Sequence, residues 1–239
     1  MSGARPESYA VHVQDRATSG QPADTPGYPP PGHGEAHWPP LITIVAAIAL
    51  QLALPAELST GSKYFLPALE TCLLVALFIS SPNRLEAPHS LRRVLALSTT
   101  AVVSIANGIS LVLLSDSLLH HNPSNGRSLI IAGFEIWLTN ALIFSLWYWE
   151  VDRGGPGRRA AGFDGSPDFL FPQMTETTLC RGWRPQFVDY LYVSLTNATA
   201  FSPTDTMPLS VQAKLIMALQ SLISLVTIGL VVSRAVNIL

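Results

Sequence analysis

Charged side chains are scarce in this chain. Asp, Glu, Lys and Arg make up 13% of its 239 residues, whereas hydrophobic residues make up 48%. A soluble domain typically carries about 25% charged residues, and here the few charges gather between long uncharged runs. This balance excludes an ordinary soluble domain and indicates an integral membrane protein, with the lipid bilayer as its first partner.

Several chemical signals are missing as well. The two cysteines, Cys72 in an apolar run and Cys180 in a polar loop, lie in environments too different to predict a disulfide or a metal site. A net charge of -2 without a basic stripe gives no indication of a nucleic-acid partner. Gly-rich phosphate loops, nucleophile elbows and His-Glu-x-x-His motifs do not occur. We therefore predict no catalytic residues and no cofactor, and do not expect an enzyme.

The hydrophobic runs divide the chain into four parts. Residues 1–40, rich in Pro, Gly and Ser, predict a disordered tail because such a segment cannot bury enough apolar surface. Residues 41–149 predict four transmembrane helices, 150–186 a long polar loop, and 187–239 a short helix followed by a final transmembrane helix. The predicted fold class is an all-α, multi-pass protein of the cell membrane with about five transmembrane helices.

Five apolar runs predict these spans, since about 20 helical residues cross a bilayer. The runs are 41–58, 64–80, 94–114, 129–149 and 215–232. Gln51 and Pro55 interrupt the first run. The fourth ends in Trp147, Tyr148 and Trp149, whose rings are expected at a headgroup boundary.

Polar residues inside predicted spans are a second kind of candidate. They are Glu70, Asn107, Glu135 and Asn140. Because an ionisable group in hydrocarbon is costly, each should face the bundle interior or a wet cavity. Glu135, with Asn140 farther along the same helix, is the better functional candidate; it either serves an ion or proton pathway or is a protonated acid bonded to a neighbouring helix. Glu70 lies nearer a span end, from which its side chain could escape toward the interface.

The loop of residues 150–186 is long enough to be functional or disordered. The aromatic and proline content of residues 168–172 favours a segment that packs against the membrane face, and a flexible linker is the alternative. If the loop binds a protein partner, the chain would be a non-conducting membrane scaffold or sensor subunit.

The last quarter of the chain predicts a hairpin that enters the membrane without crossing it. Residues 187–199 would rise about 20 Å as a helix, too little to span. Pro185 lies near the expected helix start, and Pro203 should stop the helix. The polar break that follows must be enclosed by protein, in an oligomer or a helical cage.

From Ala198 onward this hairpin resembles the pore domain of tetrameric potassium channels. That family has a pore helix ending in Thr-Thr-Val-Gly-Tyr-Gly-Asp, then a proline and a basic residue. Residues 198–205 align with the filter and its acid without a gap, Pro208 falls on the proline, and Lys214 falls on the basic residue. The resemblance implies a homo-tetramer around a pore. The ending is also similar to that of bacterial integral membrane proteins that share Ser-Pro-Thr-Asp-Thr and have no established activity.

The filter itself departs from the channel pattern. Ser202 and Thr204 replace the two glycines, and Pro203 replaces the aromatic residue. Stacked carbonyls need the backbone freedom of glycine, so a potassium filter is not expected. The pore-loop candidates that remain are Thr199, Ser202, Pro203, Thr204, Asp205 and Thr206. They either line a weakly selective cation path or merely cap helix ends and turn the chain.

Basic residues concentrate after the second and fourth predicted spans. The positive-inside rule then places both of these loops in the cytoplasm and the carboxyl end outside. This orientation is inverted relative to potassium channels, so the charge count and the resemblance disagree about topology.

Overall fold

The computed structural model describes residues 38–55, 65–79, 89–120, 126–160, 165–176, 178, 180, 182–199 and 205–238. Within these ranges the chain is helical apart from one pair of two-residue strands and its connections. The helices are α1 (Trp38–Ala53), α2 (Phe65–Ile79), α3 (His89–His120), α4 (Gly126–Val151), α5 (Pro156–Ala160), α6 (Pro172–Thr175), α7 (Phe187–Thr199) and α8 (Val211–Ile238). Strand β1 (Phe169–Leu170) pairs antiparallel with β2 (Met207–Pro208).

Among the described residues, three helices are long and apolar enough to cross a membrane. The qualifying segments are Arg93–Leu118, Arg127–Gly154 and Val211–Val236, which contain three of the five predicted spans. Helices α1 and α2 have 16 and 15 residues, which corresponds to about 22–24 Å of rise. The prediction of five spanning helices is therefore met in part, by three.

The first helix begins earlier than predicted. Trp38, Pro39 and Pro40 form the first turn of α1, although the sequence assigned them to the tail. Proline is accepted there because the first amide groups of a helix have no partner within it. The rest of the predicted disordered tail lies outside the described residues.

Helix α4 is the centre of the fold, and α8 runs antiparallel along it. Asn140 of α4 contacts Ser224 of α8, and Tyr148, two turns later in α4, contacts the earlier residue Gln220. These contacts fix the direction of the two helices relative to each other. If α4 crosses a membrane, α8 returns across it.

Helix α7 starts at the carboxyl end of α4 and stops partway along it. Tyr190 Oη donates to Asp152, just beyond the end of α4, over 2.7 Å. Near the other end of α7, Trp137 Nε1 from within α4 donates to the carbonyl oxygen of Ala198 over 3.2 Å. The predicted helix bounds are confirmed, and Asp189 accepts the Gln186 N–H at the helix start over 2.7 Å.

The chain then returns to the level at which α7 began. Strand β2 pairs with β1. In β1, the N–H of Phe169 donates to the Asp152 carboxylate just beyond the end of α4. Residues 187–208 therefore enter and leave at the same end of α4. Helix α8 starts from this end.

An aromatic cluster covers this end of α4. The ring centroids of Tyr148 and Phe169 lie 5.2 Å apart, and Phe171 meets Tyr190 edge to face at 5.4 Å, a favourable arrangement for aromatic pairs. These rings are buried, as is Trp149. The loop after α4 folds back over Tyr148 and Trp149, so these rings are covered by protein, and the prediction that Trp147, Tyr148 and Trp149 mark a headgroup boundary stays a prediction. The aromatic residues of this loop, Phe169 and Phe171, pack inside the protein.

Gly133 marks the closest described approach of a glycine to a neighbouring helix. A Cβ atom at Gly133 of α4 would overlap with Cγ2 of Val231 in α8, whereas one at Gly108 of α3 would meet nothing within 4 Å. Since valine is stiff at χ1, the helices would have to separate. We expect Gly133→Ala to lower the free energy of unfolding by about 1–3 kcal/mol.

Thermal unfolding of the purified protein in detergent measures this effect. Gly108→Ala is the matched control and should be neutral or stabilising, by up to about 1 kcal/mol, since alanine favours a helix interior over glycine. Equal midpoints for the two variants would contradict the close α4–α8 packing.

Candidate functional site

A buried network of polar side chains joins α7 to α4 and α8. Gln220 of α8 is at its centre and is fully buried. Its Nε2 donates to the carbonyl oxygen of Ser194 over 2.9 Å and to the Ser194 hydroxyl over 2.7 Å. Its Oε1 accepts from Tyr148 Oη of α4 and from Asn197 Nδ2 of α7, the latter over 2.8 Å. One amide thus binds both neighbouring helices.

Further hydrogen bonds extend the network along each helix. Ser194 Oγ donates to the carbonyl oxygen of Ala141 in α4 over 2.6 Å. Ser221 Oγ donates to Asn197 Oδ1 over 3.0 Å, and Asn140 Nδ2 donates to Ser224 Oγ over 2.9 Å. Such connected bonds in a low-dielectric interior reinforce one another. The network therefore fixes the depth and rotation of α7 between the two long helices.

Of these residues, only Asn140 is predicted from the sequence. The fully buried polar residues of α8, Gln220, Ser224 and Thr227, follow at intervals of four and three residues. This spacing puts them on one helix face. A polar stripe within an apolar helix was the signal that could have identified the network.

The structure describes half of the predicted pore-loop residues. Thr199 is half-buried at the end of α7, and its hydroxyl donates to the carbonyl oxygen of Thr196 over 2.8 Å. Asp205 is exposed and Thr206 is buried, both just before β2. Ser202, Pro203 and Thr204 lie outside the described residues, so their role in lining a path or turning the chain stays a prediction.

The four predicted intramembrane polar residues do not form one site. Asn140 contacts α8, whereas Glu70 of α2 is fully buried and contacts Gln51 of α1. Glu70 does not take the route to the interface that its position near a span end leaves open, because α1 and α3 pack against α2. Asn107 is buried in α3, and Glu135 is half-buried in α4.

A second polar cluster anchors the long loop. The buried carboxylate of Asp152 accepts three hydrogen bonds: from Tyr190 Oη at 2.7 Å, from the Asp168 N–H at 2.8 Å and from the Phe169 N–H at 3.4 Å. In return, Asp168 Oδ2 accepts the N–H of Arg153 at 2.8 Å. A short 3-10 helix (Asp152–Gly154) follows α4, and Arg153 within it has a left-handed φ of 51°. The sequence did not single out Asp152.

Arg159 completes the anchor from α5. Its guanidinium donates to the carbonyl oxygens of Trp149 and Asp152 over 2.8 and 2.6 Å, and it lies 5.5 Å from the ring centroid of Tyr190. An arginine near the carboxyl end of a helix is favourable because the free carbonyl groups there carry partial negative charge. The loop is thus attached both to α4 and to the start of α7.

These features define an all-α protein with three helices suited to crossing a membrane, which is compatible with a membrane protein. Among the described residues, no group of three or more His, Cys, Asp or Glu side chains could hold a metal ion. Comparison with known protein families, curated proteins and solved structures finds no match to this chain.

Proposed function

We propose that the chain is a multi-pass protein of the cell membrane in which residues 187–206 form a re-entrant, pore-like segment. Four copies would enclose these segments around a weakly selective cation path. The observation that carries the proposal is the entry and exit of this segment at one end of α4. If α4 crosses the bilayer, α7 begins at one face and ends inside it.

The length of α7 agrees with this role. Its 13 residues give about 20 Å of rise, roughly two-thirds of a hydrocarbon core. Irregular backbone at that depth must be enclosed by protein or wetted by a cavity. An assembly of several chains would supply both the enclosure and the water.

The chemistry of the segment suits a cation. The carboxyl end of α7 points into the bundle and carries partial negative charge. Thr199 at the end of α7 and Asp205 just before β2 offer oxygen ligands. With Ser202 and Thr204 in place of the filter glycines, selection would depend on side-chain oxygens and would be weak.

The alternative is a non-conducting scaffold or sensor subunit that binds a protein partner through residues 150–186. Phe169 and Phe171, however, are buried within the protein, and Asp152 attaches this loop to α7 through Tyr190. These contacts favour a loop that positions the re-entrant helix. We therefore place the cation path first.

Removing the Asp205 charge is expected to weaken conduction. One charge near a water-filled path contributes about 1 kcal/mol, so Asp205→Asn should reduce cation flux by about fivefold, a factor that corresponds to this energy. Purified full-length protein in liposomes, with potassium or sodium flux as the readout, measures the change. Asp116→Asn is the control, since it removes an exposed acid near the carboxyl end of α3.

Absence of flux for every cation tested, with correctly folded protein, would rule out the proposed path. A monomer in mild detergent and in nanodiscs would also contradict it, because one chain cannot form a ring around residues 199–206. Equal losses in Asp205→Asn and Asp116→Asn would show a general charge effect instead.

A further inference from the structure

The carboxyl group of Glu70 has an unusual neighbour in Gln51. Glu70 is fully buried between α1, α2 and α3. One end of the Gln51 amide lies 2.9 and 3.0 Å from the two carboxyl oxygens of Glu70. The other end lies 3.4 Å from the carbonyl oxygen of Val103 in α3. Both ends of this amide therefore face oxygen atoms.

An amide has one end that donates hydrogen bonds and one that accepts them. If Glu70 is protonated, its O–H can donate to Gln51 Oε1 while Gln51 Nε2 donates to Val103 O. If Glu70 is ionised, Nε2 must turn toward the carboxylate, and Oε1 then faces Val103 O. The hydrogen bond between α1 and α3 exists in the first state and is lost in the second.

Within the described residues of α1, α2 and α3, the nearest charged positions lie toward the ends of α3 and do not hold Glu70 in the ionised state. Helix α1 has no charged residue, and α2 has none besides Glu70. On α3, the titratable residues are at the two ends: His89, Arg92, Arg93, Asp116 and His120. Arg93 precedes Val103 by ten residues, or about 15 Å along the helix, and Asp116 follows it by about 20 Å.

A further oxygen lies on the same side of α3. Asn107 follows Val103 by one helical turn, and its Oδ1 is buried without a hydrogen-bond partner among the described residues. This group adds an acceptor and no positive charge.

We propose that Glu70 is a proton-binding site whose occupancy decides whether Gln51 links α1 to α3. On release, the carboxyl O–H bond breaks, the proton passes to water or a buffer base, and the Gln51 amide rotates by half a turn. Rebinding reverses each step. The site lies in α1, α2 and α3, apart from residues 187–206, and does not depend on the cation path.

Infrared spectroscopy of the full chain in nanodiscs tests this site. The carbonyl band of a protonated carboxylic acid should weaken as pH rises and be lost in Glu70→Gln. It should remain in Glu135→Gln, which changes the half-buried acid of α4. A band that survives in Glu70→Gln, or that does not respond to pH in the folded wild-type protein, would overturn the proposal.

Gln51→Leu tests the role of the amide. A hydrogen bond to a charged group is about twice as strong as one between neutral groups, so the carboxylate loses more than the acid does. The midpoint of the band should move up by about one pH unit, and an unchanged midpoint would refute the Gln51 link. Carbon-13 labelling of glutamate in the wild-type chain must also shift the band, which checks the assignment even where a variant fails to fold.

Discussion

Replacing Gln220 with leucine is expected to lower the free energy of unfolding by about 2–4 kcal/mol and to loosen α7. Gln220 takes part in four hydrogen bonds, two as donor to Ser194 and two as acceptor from Tyr148 and Asn197. Interhelical hydrogen bonds in membrane proteins average about 0.6 kcal/mol. Four of them together give the lower figure of about 2 kcal/mol. Each buried group left without a partner adds about 1–3 kcal/mol, which raises it.

Denaturation of the purified protein in mixed micelles measures the change, and hydrogen exchange of residues 187–199 locates it. Gln212→Leu is the matched control: the same substitution in the same helix, at an exposed position. Its unfolding midpoint should stay near that of the wild type. Similar midpoints for Gln220→Leu and Gln212→Leu would show that the network does not hold α7.

The bounds of α7 were predictable because both ends carry strong local signals. Pro185 precedes the helix and Pro203 follows it, and the segment between them has no glycine or proline. The three long helices were predictable in the same way, from long runs that are mostly apolar. Local composition is enough where a single segment determines its own structure.

The position of α7 was not predictable, since it depends on pairs of distant residues. Ser194 and Gln220 bond across 26 residues, and Tyr190 bonds Asp152 across 38. The partner of either residue in such a pair cannot be identified from a single sequence. The neutral side chain of Gln220 also escapes a search for charge inside apolar runs, although its burial gives it the central role.

The strand pair shows the same limit on a smaller scale. Strands β1 and β2 have two residues each, too few for a periodic pattern. They form because Asp152 holds Asp168 and Phe169 by their N–H groups and the Leu209 N–H donates to the Asp168 carbonyl oxygen over 2.8 Å. A tertiary anchor creates this secondary structure.

That anchor leads to the second large effect. Asp152→Ala is expected to detach residues 165–176 and the start of α7, because three donors lose a buried carboxylate. Hydrogen bonds to charged groups contribute about 1.5–3 kcal/mol each. Loss of one such bond already corresponds to about a tenfold to hundredfold increase in the opening of residues 165–176. Loss of all three bonds should increase this opening further.

Hydrogen–deuterium exchange of the peptide covering 165–176 gives the readout. Tyr190→Phe, which removes one of the three bonds, should show an intermediate rise in exchange. Glu176→Gln changes an exposed acid of the same loop and should leave the exchange unchanged. If Asp152→Ala exchanges no faster than Glu176→Gln, the aromatic cluster alone holds the loop.

Cation flux of Asp152→Ala then links the anchor to the proposed path. If the loop serves only to position α7, flux should fall together with the protection of residues 187–199, because the half-helix loses the contact that sets its depth. A loop that opens while α7 stays protected and flux stays normal would show that the network around Gln220 alone fixes the position of α7. The two polar clusters thus make separable contributions to one geometry.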